Sequence, residues 1–149
     1  MMAFGRRAFV AGGLAAAMAA RLSAAHPKAG MPQPRTVASG LAFPEGLCPM
    51  ADGGLLFVEI AGGRLSHLDT DGRVEQVAML GGGPNGCAIG PDGKAYVANN
   101  GGLAFRRLAD GRQVVSGVAE GYRSGSIQRV DLASGRAETL YTHCGDFLL

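Results

Sequence analysis

The stretch that decides the fold is FPEGL at residues 43–47, because a near copy of it, GPNGC, returns at residues 83–87. An Asp-Gly pair follows each proline after eight positions, first at Asp52-Gly53 and again at Asp92-Gly93. Each pair leads into a short apolar run that we predict to be a strand. A repeat of about 40 residues, built from short strands and glycine turns, is the signature of a β-propeller blade.

A second pair of echoes extends each copy to four strands. GRLSHLD at 63–69 and GRVEQV at 72–77 are matched by GSIQRVD at 125–131 and GRAETL at 135–140. We therefore predict an all-β chain of about two propeller blades. Blade one covers about 44–79 and blade two about 84–141. Their first strands are the innermost ones of a propeller and face the central channel, where ligands bind.

The second copy carries an insertion at about 101–123. Loops of this length inside compact domains are usually functional. Because it lies between the second and third strands, it is placed at the end where the inner strands begin, as a lid over the channel mouth. The alternative is a solvated surface insertion without ligand contact.

Composition narrows the possible classes of protein. The chain has 149 residues, 25 glycines and no tryptophan, which favours many tight turns over a helical bundle. A formal charge of +2 without a basic run excludes a nucleic-acid footprint. Three widely spaced cysteines exclude a disulfide framework or a CxxC metal site, and Cys48 and Cys87 are expected to be small core residues.

The first 25 residues have the pattern of an export signal of the twin-arginine type. Arg6 and Arg7 precede a weakly apolar run from Val10 to Ala20 and a small-residue site at 23–25. The run is too short for a membrane span, which needs about 20 residues, so we expect cleavage after Ala25 and no stable membrane insertion. The predicted location is periplasmic or secreted. An ordinary secretory signal is the alternative.

A proline-rich linker at 26–35 separates this signal from the domain at 36–149, the N-terminal portion of a propeller. A short strand is predicted at the start of the domain, at Thr36–Ala38.

Several motifs in order resemble the senescence marker protein, gluconolactonase and luciferin-regenerating enzyme family. They run from about Leu41 to Tyr141 and read PEG at 44–46, LLFVEI at 55–60, GGPNG at 82–86 and PDGKAYVANN at 91–100. The resemblance implies a six-bladed propeller that binds one divalent cation, usually calcium. It also implies hydrolysis of lactones or of related esters and phosphoesters.

The same resemblance assigns roles to individual residues. Glu45 stands at the position of a metal ligand, and a carboxylate suits a hard cation such as calcium. A solvated turn carboxylate is the alternative. Asn85 is placed to hydrogen-bond substrate, although Asn before Gly is also favoured by turn conformation. Asn99 and Asn100 are further substrate-binding candidates.

The family's remaining ligands and its catalytic base belong to later blades, so catalytic residues are expected beyond Leu149. On this interpretation the chain is the product of a truncated gene, an assembly fragment or an N-terminal piece, which is inactive alone and self-associates or stays partly unfolded. The predicted function is an exported metal-dependent hydrolase acting on a small molecule such as a sugar lactone. The alternative is a non-enzymatic propeller that binds a small molecule or a protein partner at the channel mouth.

Overall fold

Every regular element within residues 33–149, the part of the chain that this computed structural model describes, is a β-strand. The signal segment with Arg6 and Arg7, and linker residues 26–32, lie outside the described residues. Among the described residues, no helix is long and apolar enough to span a bilayer. Four antiparallel strands form the first sheet in chain order: β1 (Pro44–Pro49), β2 (Leu55–Glu59), β3 (Arg64–Leu68) and β4 (Val74–Met79).

The second half of the chain adds a second four-stranded sheet and two hairpins. Its strands are β5 (Pro84–Ile89), β6 (Ala95–Asn99), β7 (Leu103–Arg107), β8 (Gln113–Val118), β9 (Ser126–Val130), β10 (Ala137–Tyr141), β11 (His143–Cys144) and β12 (Phe147–Leu148). The sheet has the order β5-β6-β9-β10, so the β7–β8 hairpin is inserted between its second and third strands. A short β11–β12 hairpin follows the sheet.

The two sheets share one apolar core. The core takes alternate residues from each second strand, which is the period of a strand that presents one face to a neighbouring sheet. Each buried Leu or Val side chain contributes about 1.5–3 kcal/mol. These contacts confirm the predicted all-β fold with two propeller blades. The buried members are Leu56, Val58, Leu65 and Ala78 from the first sheet, and Ala95, Val97 and Val130 from the second.

The Asp-Gly pairs form the turns between inner and second strands. Gly53 and Gly93 adopt φ of 88° and 73°, which L-residues with a side chain rarely adopt. Each aspartate carboxylate accepts a hydrogen bond from the backbone N–H two residues later. In the first turn, the Gly54 N–H donates to Asp52 at 2.9 Å. The repeated Asp-Gly signal therefore marks equivalent turns in both blades.

Two local predictions differ from the structure. Residues 36–38 form no strand; Val37 and Ala38 instead line a small apolar pocket together with Leu41 and apolar side chains of the first sheet. The insertion is a β-hairpin instead of an irregular loop. Its turn is Asp110-Gly111, where Gly111 has φ of 86° and the Asp110 carboxylate accepts a hydrogen bond from the Arg112 backbone at 3.0 Å.

Candidate functional site

The two Pro-X-Gly motifs, Pro44–Gly46 and Pro84–Gly86, lie side by side on adjacent inner strands. A β-carbon built on Gly46 would lie 2.6 Å from the α-carbon of Gly86. The Cys87 thiol donates a hydrogen bond of 2.9 Å to the carbonyl oxygen of Gly46. The fold therefore places Glu45 and Asn85, each one residue before a motif glycine, on neighbouring stretches of backbone.

Both inner strands are irregular at these motifs. In β1 the register shifts between Glu45 and Cys48, so two residues face one on β2. In β5 the shift falls between Pro84 and Gly86 and leaves Asn85 out of the pairing with β6. β-Bulges re-aim side chains and are common next to active sites. Asn85 is thus the unpaired residue of one bulge, whereas Glu45 pairs with Val58 and directly precedes the other.

Glu45 and Asn85 are both exposed. Within residues 33–149, no basic side chain forms a salt bridge with Glu45. Its carboxylate is therefore available to a cation or a ligand. The amide of Asn85 is available for hydrogen bonding in the same way.

A buried carboxylate holds the start of β1. Glu59 is fully buried and accepts hydrogen bonds from the backbone N–H of Ala42 at 2.6 Å and from the Ser66 hydroxyl at 2.7 Å. The Arg64 guanidinium donates two more, at 2.7 and 2.8 Å. The hydrogen bonds from Arg64 lower the pKa of Glu59 to about 2, so the carboxylate is ionised at neutral pH. We call Glu59, Arg64 and Ser66 the Glu59 clamp.

Phe43, the residue before the first motif, has a strained backbone. Its φ is 63°, which is uncommon for a residue other than glycine. The N–H of Ile60, the residue that follows β2, donates a hydrogen bond of 3.0 Å to the carbonyl oxygen of Phe43 and so holds it in place. Its ring packs against Phe105 of the inserted hairpin, with 5.2 Å between ring centroids. The hairpin therefore contacts the chain where the first inner strand begins.

Asn99, a substrate-binding candidate, has a side-chain amide that is fully engaged within the protein. Its oxygen accepts hydrogen bonds from the N–H groups of Gly83 and Gly101 at 2.8 and 2.9 Å. Its nitrogen donates to the carbonyl of Gly81 at 2.9 Å and to the side-chain oxygen of Gln128 at 3.0 Å. An amide has four such positions, and this one is buried, so it orders the surrounding backbone. We call Asn99 and Gln128 the Asn99 clamp.

Asn100, another substrate-binding candidate, lies at the start of the inserted hairpin. It is half-buried, and its side-chain oxygen accepts a hydrogen bond of 2.9 Å from the Gly102 N–H. Its backbone N–H donates to the carbonyl of Gly83 at 2.9 Å. Asn100 therefore joins the hairpin to the segment that leads into Pro84.

Glu45 and Asn85 fit a hard divalent cation by the chemistry of their donors. A carboxylate and an amide oxygen are ligands that calcium takes, but calcium needs six to eight oxygens. No group of three or more His, Cys, Asp or Glu side chains in the described part of the chain is arranged to hold a metal. Glu45 and Asn85 alone therefore offer fewer oxygen donors than a calcium site requires.

Sequence analysis did not identify either clamp, although both strand-ending polar residues stand at equivalent positions. Glu59 pairs with Pro44, and Asn99 pairs with Pro84, in matching registers. The available signal in the sequence was a polar residue repeated at the end of an otherwise apolar second strand.

Comparison with known proteins identifies one family, and the similar solved structures include two distant ones. The family model described as SMP-30/Gluconolactonase/LRE-like region matches residues 43–146. No curated protein matches the chain. Among solved structures, the PQQ-bound aldose sugar dehydrogenase from Streptomyces coelicolor is 23% identical over 70% of this chain, with a TM-score of 0.47. A gluconolactonase from Xanthomonas campestris is 13% identical over 71% of it, with a TM-score of 0.41. The chain spans 31% of the first structure and 50% of the second.

Proposed function

This chain belongs to the SMP-30/gluconolactonase/LRE-like family, and from that membership we propose that it supplies part of the active site of a lactone hydrolase. The observation that carries the proposal is the pairing of the two Pro-X-Gly motifs at adjacent bulges. This pairing brings the backbone that carries an available carboxylate next to the backbone that carries an available amide. The proposed substrate is a sugar lactone or a related cyclic ester.

Lactone hydrolysis sets the tasks of the site. Water adds to the carbonyl carbon, the ring C–O bond breaks, and a hydroxy acid results. A bound divalent cation, which we propose to be calcium, would supply Lewis-acid polarisation of the carbonyl and a more acidic water. Glu45 is the proposed anionic ligand for that cation. Asn85 is the proposed hydrogen-bond donor that orients the lactone through one of its oxygens.

We further propose that the inserted hairpin covers this site. Phe105 contacts Phe43, which directly precedes the motif that carries Glu45. An isolated two-stranded hairpin is only marginally stable, so this aromatic contact supports its placement at the start of β1. A cover at this place would limit the access of bulk water to the lactone.

Export is also part of the proposal. The twin arginines Arg6 and Arg7, the short apolar run and the small-residue site support cleavage after Ala25 and a periplasmic or secreted protein.

The test is acid release from gluconolactone, followed by titration at constant pH. It uses the chain itself and a fusion of residues 36–149 to the later blades of a gluconolactonase-like relative, here called the completed propeller. The completed propeller should hydrolyse the lactone and lose activity with a chelator or with Glu45→Gln. The control is Glu75→Gln, an exposed glutamate on β4, which should remain active.

A completed propeller that folds but hydrolyses no lactone would contradict the proposal. If it still binds a sugar or a protein at the channel mouth, the non-enzymatic propeller becomes the better account.

A further inference from the structure

The two clamps occupy equivalent positions in the two blades. Each is centred on the last residue of a second strand, opposite the proline that opens the inner strand: Glu59 faces Pro44, and Asn99 faces Pro84. Both residues are buried: Glu59 is fully buried, and Asn99 is 7% exposed. The repeat therefore places a buried hydrogen-bonding side chain beside the start of each inner strand.

Both clamps bind the backbone just before the motif. Glu59 accepts from the N–H of Ala42, two residues before Pro44, at 2.6 Å. Asn99 accepts from the N–H of Gly83, one residue before Pro84, at 2.8 Å. Different chemical groups, a carboxylate in one blade and an amide in the other, thus perform the same task on the backbone.

A partner on the third strand supports each clamp. The Ser66 hydroxyl donates to Glu59 at 2.7 Å, and the amide of Asn99 donates to Gln128 at 3.0 Å. Gln128 in turn donates to the carbonyl of Leu80 at 3.1 Å, in the segment that joins the two blades. The third strands therefore fix the rotamers of the clamp residues from the buried side.

We propose that Glu59 and Asn99 are positioning residues, each fixing the start of one inner strand and with it the Pro-X-Gly motif that follows. The value of this positioning to a hydrolase rests on the proposed function, whereas the hydrogen bonds of the clamps are independent of it. Glu45 and Asn85 are exposed and lie beside or within an irregularity of the strand pairing, so ladder hydrogen bonds define the positions of the motifs poorly. The strained φ of Phe43 persists because the surrounding contacts hold it, and the Glu59 clamp provides one of them at the neighbouring residue.

The test is site-resolved amide hydrogen exchange on the full chain, without cation or substrate. Glu59→Gln keeps the shape of the side chain but replaces one carboxylate oxygen with an NH2 group. This group cannot accept the hydrogen bonds that the carboxylate accepts in the parent. Exchange at Ala42, Glu45 and Gly46 should become at least about 10-fold faster. Exchange at Val97 and Val130, in the other blade, should accelerate by a clearly smaller factor.

Asn99→Leu makes the reciprocal test in blade two, because it keeps the approximate shape and removes all four hydrogen bonds. Exchange should accelerate at Gly83, Asn85 and Gly86 and not at Leu65. Ser66→Ala removes a single bond to Glu59 and should give a smaller increase at the amides of Ala42 and Gly46. These two variants decide the question if Glu59→Gln does not fold.

The control for general loss of stability is Val130→Ala, which opens a cavity in the shared core without touching either clamp. It should accelerate exchange throughout both sheets by similar factors. Unchanged exchange at the motif amides in the clamp variants would overturn the proposal. So would acceleration of the core amides by the same factor, because the clamp residues would then only add stability.

A second measurement separates this proposal from the proposed function. Calcium affinity of the completed propeller should fall about 10-fold with Glu59→Gln, equivalent to about 1.4 kcal/mol, and stay at the parental value in folded Val130→Ala. A completed propeller that binds no calcium would remove the proposed cation site. The exchange result would still decide whether the clamps position the motifs.

Discussion

The α-carbon of Gly86 occupies the space that a side chain on Gly46 would need. A β-carbon on Gly46 would lie 2.6 Å from that atom and 2.9 Å from the Cys87 nitrogen. Gly46 also has φ of 55°. Gly86 differs, because a β-carbon built on it meets no atom within 4 Å. The close approach of the two candidate motifs thus requires glycine at position 46 but not at position 86.

Substitution of these two glycines should have unequal effects. Gly46→Ala combines backbone strain with a clash against backbone, and we expect it to lower the free energy of unfolding by about 2–4 kcal/mol. Gly86→Ala should change it by less than about 1 kcal/mol. Denaturant unfolding of both variants measures the difference. Equal losses would show that the inner strands do not approach as closely as described.

Acid stability should depend on Glu59. Its pKa lies at about 2 in the folded protein, against an ordinary value of 4.5. A lowered pKa gives stability that is present above the unfolded value and is lost as pH falls from about 4.5 to about 2, on the order of 3 kcal/mol in all. Unfolding of the parent should show this loss. Glu59→Gln should be less stable at neutral pH and flatter across the same window, whereas an unchanged slope would rule out the ion pair with Arg64.

The sequence repeat made the fold predictable. The buried hydrogen bonds of the candidate site could not be predicted from that repeat. Strand positions follow from the echoes around the Asp-Gly turns, since local turn chemistry and a period of two specify them. The inserted hairpin was predictable from the same signal at Asp110-Gly111. The role of Asn99 was not, because its partner Gln128 is 29 positions away and only the register of β6 on β9 brings them together.

Export should depend on the arginine pair. Arg6→Lys combined with Arg7→Lys should leave the protein in the cytoplasm with an intact N-terminus, whereas the parent should be recovered outside it with His26 first. Mass spectrometry of fractionated cells distinguishes the two. Unchanged location and cleavage in the double variant would indicate an ordinary secretory signal.

The chain should self-associate after removal of the signal. Three large apolar side chains near its C-terminus are well exposed: Tyr141 at 61%, Phe147 at 79% and Leu148 at 60%. Neighbouring exposed apolar residues of this kind mark association sites. Light scattering of residues 26–149 should give a mass that rises with concentration, and Phe147→Ser with Leu148→Ser should reduce it. A monomer at all concentrations would contradict this expectation.

The central claim is that Glu45 binds the divalent cation of a lactone hydrolase, and calcium titration calorimetry on the completed propeller tests it most directly. Glu59 is unsuitable as the control because its carboxylate is buried in the clamp, so the exposed Glu75 serves instead. The parent and Glu75→Gln should bind calcium with the same affinity. Glu45→Gln should bind at least about 10-fold more weakly while keeping its melting temperature without calcium. Equal affinity in the parent and in folded Glu45→Gln would contradict the account and leave Glu45 as a solvated turn residue.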